Sequence, residues 1–171
     1  AIVAPEAGQS FLQCKTLSLR GAARDPEGQL TQTLWTIDGS LVSSTLVARA
    51  APLLPGLHQI SLTVVDGDGN SATTQVSVIT IADSDCDGMS DDFELAHGLQ
   101  PGYVEVASRD EDSDGLTNFD EAFYRTDPNN SDTDGDDYID SEEIQLGTDP
   151  LAPLSFPPPP ALSITSSNGT V

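Results

Sequence analysis

Alternating apolar and polar residues predict four β-strands in the first half of the chain, at residues 15–22, 31–37, 58–65 and 72–81. In the third segment, Ile60, Leu62 and Val64 alternate with polar residues, so one face of that strand should be buried. Trp35 occupies an inward position of the second segment and is expected in the core. Strands at this spacing over about 80 residues predict a β-sandwich.

Turn-forming residues separate these strands, at 25–28, 38–39, 55–56 and 66–70. The last group, Asp66-Gly67-Asp68-Gly69-Asn70, offers several oxygen ligands for a metal, but a hairpin turn explains its composition better.

The runs 21–28, 34–39 and 54–70, which contain Trp35 and the Asp-Gly turns, resemble bacterial immunoglobulin-like and PKD-type modules. The resemblance extends over residues 1–82. It implies an immunoglobulin-like sandwich that serves as a spacer or adhesive module of a secreted protein, without a catalytic site.

Charge divides the chain into three parts. The net charge is -22, from 28 acidic and 6 basic residues, and residues 83–152 hold 22 of the acids but only two bases, Arg109 and Arg125. We therefore predict one domain at 1–82, a second at 83–152, and a Pro-rich linker or the start of a further module at 153–171.

The negative charge argues against nucleic acid or an anionic membrane as a partner, since both would repel it. No apolar run is long enough to span a bilayer, and the N-terminus lacks a signal-peptide pattern, so we interpret the chain as a segment of a longer exported protein.

The second part repeats a twelve-residue pattern three times, with Asp at positions 1, 3 and 5, Asp or Asn at 9 and Glu at 12. This is the ligand spacing of a calcium loop, in which the main-chain carbonyl of position 7 adds a further oxygen. The predicted ligands are Asp83, Asp85, Asp87, Met89, Asp91 and Glu94 in loop 1; Asp110, Asp112, Asp114, Leu116, Asn118 and Glu121 in loop 2; and Asp132, Asp134, Asp136, Tyr138, Asp140 and Glu143 in loop 3.

The many oxygen ligands favour Ca²⁺, at about three sites, over Mg²⁺, which prefers a rigid octahedral site with several waters. Position 6 requires a sharp bend, and Gly88 and Gly115 supply it in the first two loops. The third loop has Asp137 there, so we expect that loop to bind more weakly.

Each loop is followed by a short predicted helix, at 91–97, 118–125 and 141–146, and then by a Gly or Thr-Asp-Pro stop. Large apolar side chains are scarce here, and a net charge of -20 over residues 83–152 opposes collapse. We therefore expect metal binding to supply the folding free energy of this part.

A true EF-hand has a helix before its loop, whereas a strand precedes Asp83 and a short Pro- and Asn-containing segment precedes Asp132. Residues 83–150 instead resemble thrombospondin type 3 repeats in their bacterial form, with an Asp-rich loop, a short helix and a Gly-Thr-Asp-Pro stop. The resemblance implies calcium binding and an extracellular location, with cell adhesion as a looser association. A dockerin has similar spacing, but three loops and short helices count against it.

Cys14 and Cys86 should lie at the same pole of the sandwich, where a disulfide would clamp the first loop; two free thiols are the alternative. Asp127 and Asp149 are expected in turns, with a lent calcium ligand as the alternative. His58 and His97 have no partners that would form a catalytic triad or a zinc site.

We therefore expect a non-catalytic, calcium-binding spacer or adhesion segment of a secreted or cell-surface bacterial protein, monomeric within a larger chain. Two other roles fit the same sequence: a dockerin-like or adhesin module that binds a surface protein or glycan, and an accessory region of a secreted hydrolase.

Overall fold

The computed structural model describes residues 1–25 and 30–153. The chain divides into two compact units, Ala1–Ser108 and Arg109–Val171, so the first unit contains the first Asp-rich loop as well as the strands. Most of the turn predicted at 25–28, and the region from residue 154 onward, lie outside the described residues.

Among the described residues of the first unit, eight strands form two sheets. They are β1 (Ile2–Ala4), β2 (Ser10–Leu12), β3 (Leu17–Gly21), β4 (Gln32–Ile37), β5 (Ser40–Ser43), β6 (Val47–Ala50), β7 (Gly56–Val65) and β8 (Ser71–Ile81). One sheet has the order β1-β3-β6 and the other the order β2-β8-β7-β4-β5. Neighbouring strands are antiparallel except β2 and β8, which run parallel.

The predicted sandwich is confirmed by its core, which draws side chains from both sheets. Its buried members are Leu17, Leu19, Trp35, Ile37, Ala50, Ile60, Leu62 and Val78. Trp35 is fully buried (0% exposed), and its indole N–H donates to the Thr45 carbonyl at 2.9 Å. A buried indole needs such a partner, so this bond fixes the ring within the apolar cluster.

Two hairpins have the turns that the sequence predicts. Asp38 and Gly39 join β4 to β5 with φ values of 49° and 80°, the left-handed pair that a two-residue hairpin favours. Asp66 and Asn70 close the β7–β8 hairpin, where the Asp66 carboxylate accepts bonds from the Asp68 and Asn70 N–H groups. This acidic group is therefore a turn, as predicted.

Short helices follow the three Asp-rich loops: α1 (Asp91–Ala96) in the first unit, and α2 (Asn118–Tyr124) and α3 (Asp140–Leu146) in the second. A 3₁₀ turn, Val104–Val106, lies in the segment that separates the first two repeats and buries Val106. Within residues 1–25 and 30–153, no helix has the length and apolar character needed to cross a membrane.

Candidate metal centres

Each loop brings three aspartates together at one point. In each trio, one carboxylate oxygen per residue lies within 4.8 Å of the others. The trios are Asp83, Asp85 and Asp87; Asp110, Asp112 and Asp114; and Asp132, Asp134 and Asp136. Like charges this close repel strongly, so each trio needs a compensating positive charge.

The glutamate at position 12 of each loop is the most informative residue. Glu94, Glu121 and Glu143 are each 0% exposed, and neither carboxylate oxygen of any of them has a hydrogen-bond partner. A buried carboxylate is costly unless it is paired or coordinates a metal. These three residues therefore mark where each loop could hold a cation.

Aspartate oxygens beside these glutamates are also buried without a hydrogen bond. They are Asp83 Oδ1, Asp85 Oδ2 and Asp87 Oδ2 in loop 1, Asp112 Oδ2 in loop 2, and both Asp134 oxygens with Asp136 Oδ2 in loop 3. The available donors are thus oxygens alone, the ligand chemistry of a hard divalent cation. This donor set fits the calcium that the loop pattern predicts.

Electrostatics in the absence of a cation point the same way. Burial, followed by repulsion from Asp87 and Asp85, raises the pKa of Glu94 to about 7. Burial and the charges of Asp112 and Asp114 raise the pKa of Glu121 to about 8. A divalent cation at the same point would reverse the sign of this local field.

Two left-handed residues shape each loop. Position 6 has a positive φ in all three, at Gly88, Gly115 and Asp137, which confirms the predicted bend. Position 4 also has a positive φ, at Cys86, Ser113 and Gly135, which the ligand spacing does not predict. Each loop therefore places one glycine and one non-glycine in the left-handed region, and weaker binding at loop 3 stays a prediction.

One main-chain bond closes each loop across its base. The N–H at position 9 donates to the carbonyl just before position 1, from Asp91 to Ala82 (3.0 Å), Asn118 to Arg109 (2.7 Å) and Asp140 to Ser131 (2.9 Å). Inside each loop, the N–H at position 7 donates to the position 5 carboxylate, over 2.8 Å, 2.7 Å and 3.1 Å. The N–H of position 7 is thus already hydrogen-bonded within the loop. The carbonyl of position 7 is the main-chain group whose binding to a cation can be tested.

The helix ends hold the position 12 glutamates in place. Each helix is followed by a left-handed residue, Gly98, Arg125 or Gly147. The next N–H donates back to the glutamate carbonyl, over 2.7 Å to Glu94, 3.1 Å to Glu121 and 2.9 Å to Glu143. This C-terminal cap fixes the main chain of the residue whose side chain enters the loop.

A disulfide joins Cys14 to Cys86, with a Cα–Cα distance of 5.5 Å, which confirms the predicted bridge. Cys86 occupies position 4 of loop 1, between Asp85 and Asp87. The neighbouring Gln13 side chain accepts a bond from the Asp83 N–H at 3.4 Å. Loop 1 is thus attached covalently and by hydrogen bonding to the segment that precedes β3.

The three residues at position 7 differ in burial: Met89 and Leu116 are buried, and Tyr138 is half-buried. Asp127 and Asp149 lie in turns, where each carboxylate accepts an N–H two residues ahead. His58 lies between the Asp38 carboxylate and the Leu54 carbonyl, and His97 bonds the carbonyl of Phe93.

Several solved structures are similar to part of this chain at low identity. A Clostridium thermocellum CbhA fibronectin(III)-like module is 18% identical, with 48% of this chain and 96% of that chain covered and a TM-score of 0.44. The PKD1 domain of Vibrio cholerae metalloprotease PrtV is 23% identical, covering 38% and 80%, with a TM-score of 0.35. The PKD1 domain of Vibrio anguillarum Epp is 22% identical, covering 47% and 88%, with a TM-score of 0.37.

A comparison with curated proteins found no match. The model of the bacterial TSP3 repeat matches residues 83–98, 110–131 and 132–153, and each match begins at position 1 of a loop. TSP3 repeats are calcium-binding, non-catalytic structural units. Three stretches of the acidic part of this chain therefore match the bacterial TSP3 repeat, and they follow a two-sheet β-sandwich.

Proposed function

We propose that this chain is a non-catalytic spacer segment of a secreted or cell-surface bacterial protein, which three calcium ions make rigid. The fully buried, unpaired position 12 glutamates carry the proposal, because a bound cation would offset the cost of burying them as carboxylates. Three matches to a calcium-binding repeat support it.

In each loop, the ion would be held by the carboxylates at positions 1, 3, 5 and 12 and by the carbonyl of position 7. Calcium accepts six to eight such oxygens in a flexible geometry, whereas Mg²⁺ demands a tighter octahedron. When bound, calcium supplies positive charge at the centre of each acidic cluster. The protein supplies the curvature of the loop and the capped helix that fixes the glutamate.

Binding would be coupled to folding in the repeats. Their buried side chains include the position 12 glutamates, and few large apolar residues accompany them. Three calcium ions would remove six units from a net charge of -22 and so weaken the repulsion between the loops. A segment that is ordered only with calcium would be rigid outside the cell, where calcium is abundant, and loosely folded before export.

Calcium titration of the whole chain by calorimetry, with circular dichroism before and after chelation, tests the proposal. We expect three sites and a loss of helical signal on chelation that Mg²⁺ does not restore. The matched control replaces Glu94, Glu121 and Glu143 by Gln, which keeps side-chain size but removes the charge. A chain that binds no calcium, or whose spectrum ignores the chelator, would contradict the proposal. A surface protein or glycan as partner stays a prediction.

A further inference from the structure

The position 9 carboxylates in loops 1 and 3 make a second set of bonds besides the main-chain closure. Asp91 accepts the Ser84 N–H at 2.7 Å on one oxygen and the Ser84 hydroxyl at 2.7 Å on the other. Asp140 accepts the Thr133 N–H at 2.9 Å and the Thr133 hydroxyl at 2.7 Å in the same way. In both loops the donor is position 2, so the same pair recurs on two independent copies.

The hydrogen bonds between position 2 and position 9 enclose the first residues of the loop. Position 2 lies between the ligands at positions 1 and 3, and the N–H at position 9 reaches the carbonyl before position 1. Position 9 is therefore tied to the chain on both sides of position 1. Both of its oxygens accept bonds from position 2, which orients the carboxylate toward the start of the loop.

Loop 2 shows what happens when the hydroxyl is missing. Its position 2 is Glu111, which lies 3.7 Å from Arg109, and its position 9 is the neutral Asn118. An aspartate at position 9 of this loop would find no hydroxyl at position 2 to hold it, and it would add a further carboxylate to the acidic cluster. Within this chain, a hydroxyl at position 2 thus accompanies Asp at position 9, and a carboxylate accompanies Asn.

We propose that Asp91 and Asp140 are positioning residues rather than direct calcium ligands. Each holds the loop closed through the hydroxyl at position 2, so that positions 1 and 3 are already placed when calcium binds. This inference rests on the proposed function, because it concerns how these loops bind calcium.

Loop 1 is the better place to test it. The start of α3 also contacts loop 2, since the Ser141 N–H and hydroxyl donate to Asp114 at 3.2 Å and 2.6 Å. A change at Asp140 would therefore disturb two loops at once. Asp91 and Ser84 avoid this complication.

The experiment is a calcium titration of the whole ¹⁵N-labelled chain by NMR. The amides of Gly88 and Gly115 report loops 1 and 2 separately. We compare Ser84→Ala, which removes the hydroxyl, with Ser84→Thr, which keeps it. We expect Ser84→Ala to weaken calcium binding at Gly88 about tenfold, as the loss of a hydrogen bond to a charged group predicts. Ser84→Thr should bind like the parent, and Gly115 should respond identically in all three proteins.

A double-variant comparison separates a positioning role from direct ligation. In the Asp91→Ala background, Ser84→Ala should cause no further loss, because its partner has already gone. If Ser84→Ala leaves the Gly88 titration unchanged while Asp91→Ala weakens it, the carboxylate is a ligand and the inference is wrong. An unchanged Trp35 indole signal confirms that each variant is folded.

Exchange of the pair in loop 2 provides an independent test. Asn118→Asp alone should weaken binding at Gly115 about tenfold, because Glu111 offers no hydroxyl to hold the new carboxylate, and adding Glu111→Thr should restore it. Failure of the second change to rescue the first would overturn the inference. If Gly88 and Gly115 of the parent chain do not respond to calcium, the proposed function itself fails, and the inference with it.

Discussion

Removal of the disulfide should weaken the sandwich and loop 1 through two separable effects. The perturbation is Cys14→Ser with Cys86→Ser. The bridge closes a segment with a sequence separation of 72, and the chain-entropy relation for such a loop gives about 4 kcal/mol of stabilisation through the unfolded state. This contribution does not depend on calcium. The second effect does, because Cys86 lies in the left-handed region at φ 66°, between two predicted ligands.

Guanidinium unfolding followed by Trp35 fluorescence measures both effects, since the chain has a single tryptophan and it is buried in the first unit. We expect the free energy of unfolding to fall by about 4 kcal/mol with chelator present. The stabilisation that saturating calcium adds should also be smaller in the variant than in the parent, because loop 1 must then be ordered at the moment of binding. The parent protein under a reducing agent should reproduce the double variant.

The two outcomes that would refute this reasoning differ in meaning. A loss below about 1 kcal/mol under both conditions would show that the bridge adds little constraint to the unfolded chain. An equal calcium increment in both proteins would show that the disulfide does not help to order loop 1.

Three further predictions test the fold and the loops. Gly21→Ala should destabilise the first unit by about 1–3 kcal/mol in thermal unfolding, because the new methyl would lie 2.5 Å from Cδ2 of Leu62 in the core; an unchanged melting temperature would contradict the packing described. The hydrogen bond between Asp38 and His58, at 2.6 Å, lowers the pKa of Asp38 and raises the pKa of His58. At this exposed site, the bond stabilises the fold by less than about 1 kcal/mol. That stabilisation should be complete between about pH 4 and 6.5. It should fade as pH rises through the raised pKa of His58 or falls through the lowered pKa of Asp38, and a pH-independent difference between the parent and Asp38→Asn would refute it. Asp137→Gly should tighten calcium binding at loop 3, because glycine adopts the φ of 78° found at this position without strain. Asp137→Asn, which removes only the charge, should not tighten it. Calorimetry of the two variants compares their calcium affinities.

The long strands could be predicted from sequence because alternation needs length to be visible. β7 and β8 have ten and eleven residues, and their inward positions include Ile60, Leu62 and Val78. β1, β2, β5 and β6 have three or four residues each, too few for a period of two to emerge from chance. These strands form through pairing with longer neighbours, as when Ser10 aligns with Ile79, and that pairing is non-local.

The loops show a similar division between local and non-local information. The spacing of the ligands can be read from the sequence alone, and the carboxylates of each aspartate trio lie together as that spacing predicts. The left-handed conformation of Cys86 and Ser113 could not be predicted, because neither residue type favours it. The bond from Ser84 to Asp91 also spans seven residues, and a ligand-spacing pattern treats position 2 as arbitrary.

The bridge between Cys14 and Cys86 also decides how the segment would respond to stretching. Strands β3 to β8 lie between the two cysteines along the chain. Tension that enters before residue 14 and leaves after residue 86 would pass through the sulfur atoms and bypass those six strands. The disulfide thereby prevents the extension of about 240 Å of chain, which is the length of 72 residues at about 3.4 Å each. A surface protein under shear would keep this length in reserve until the bond is reduced.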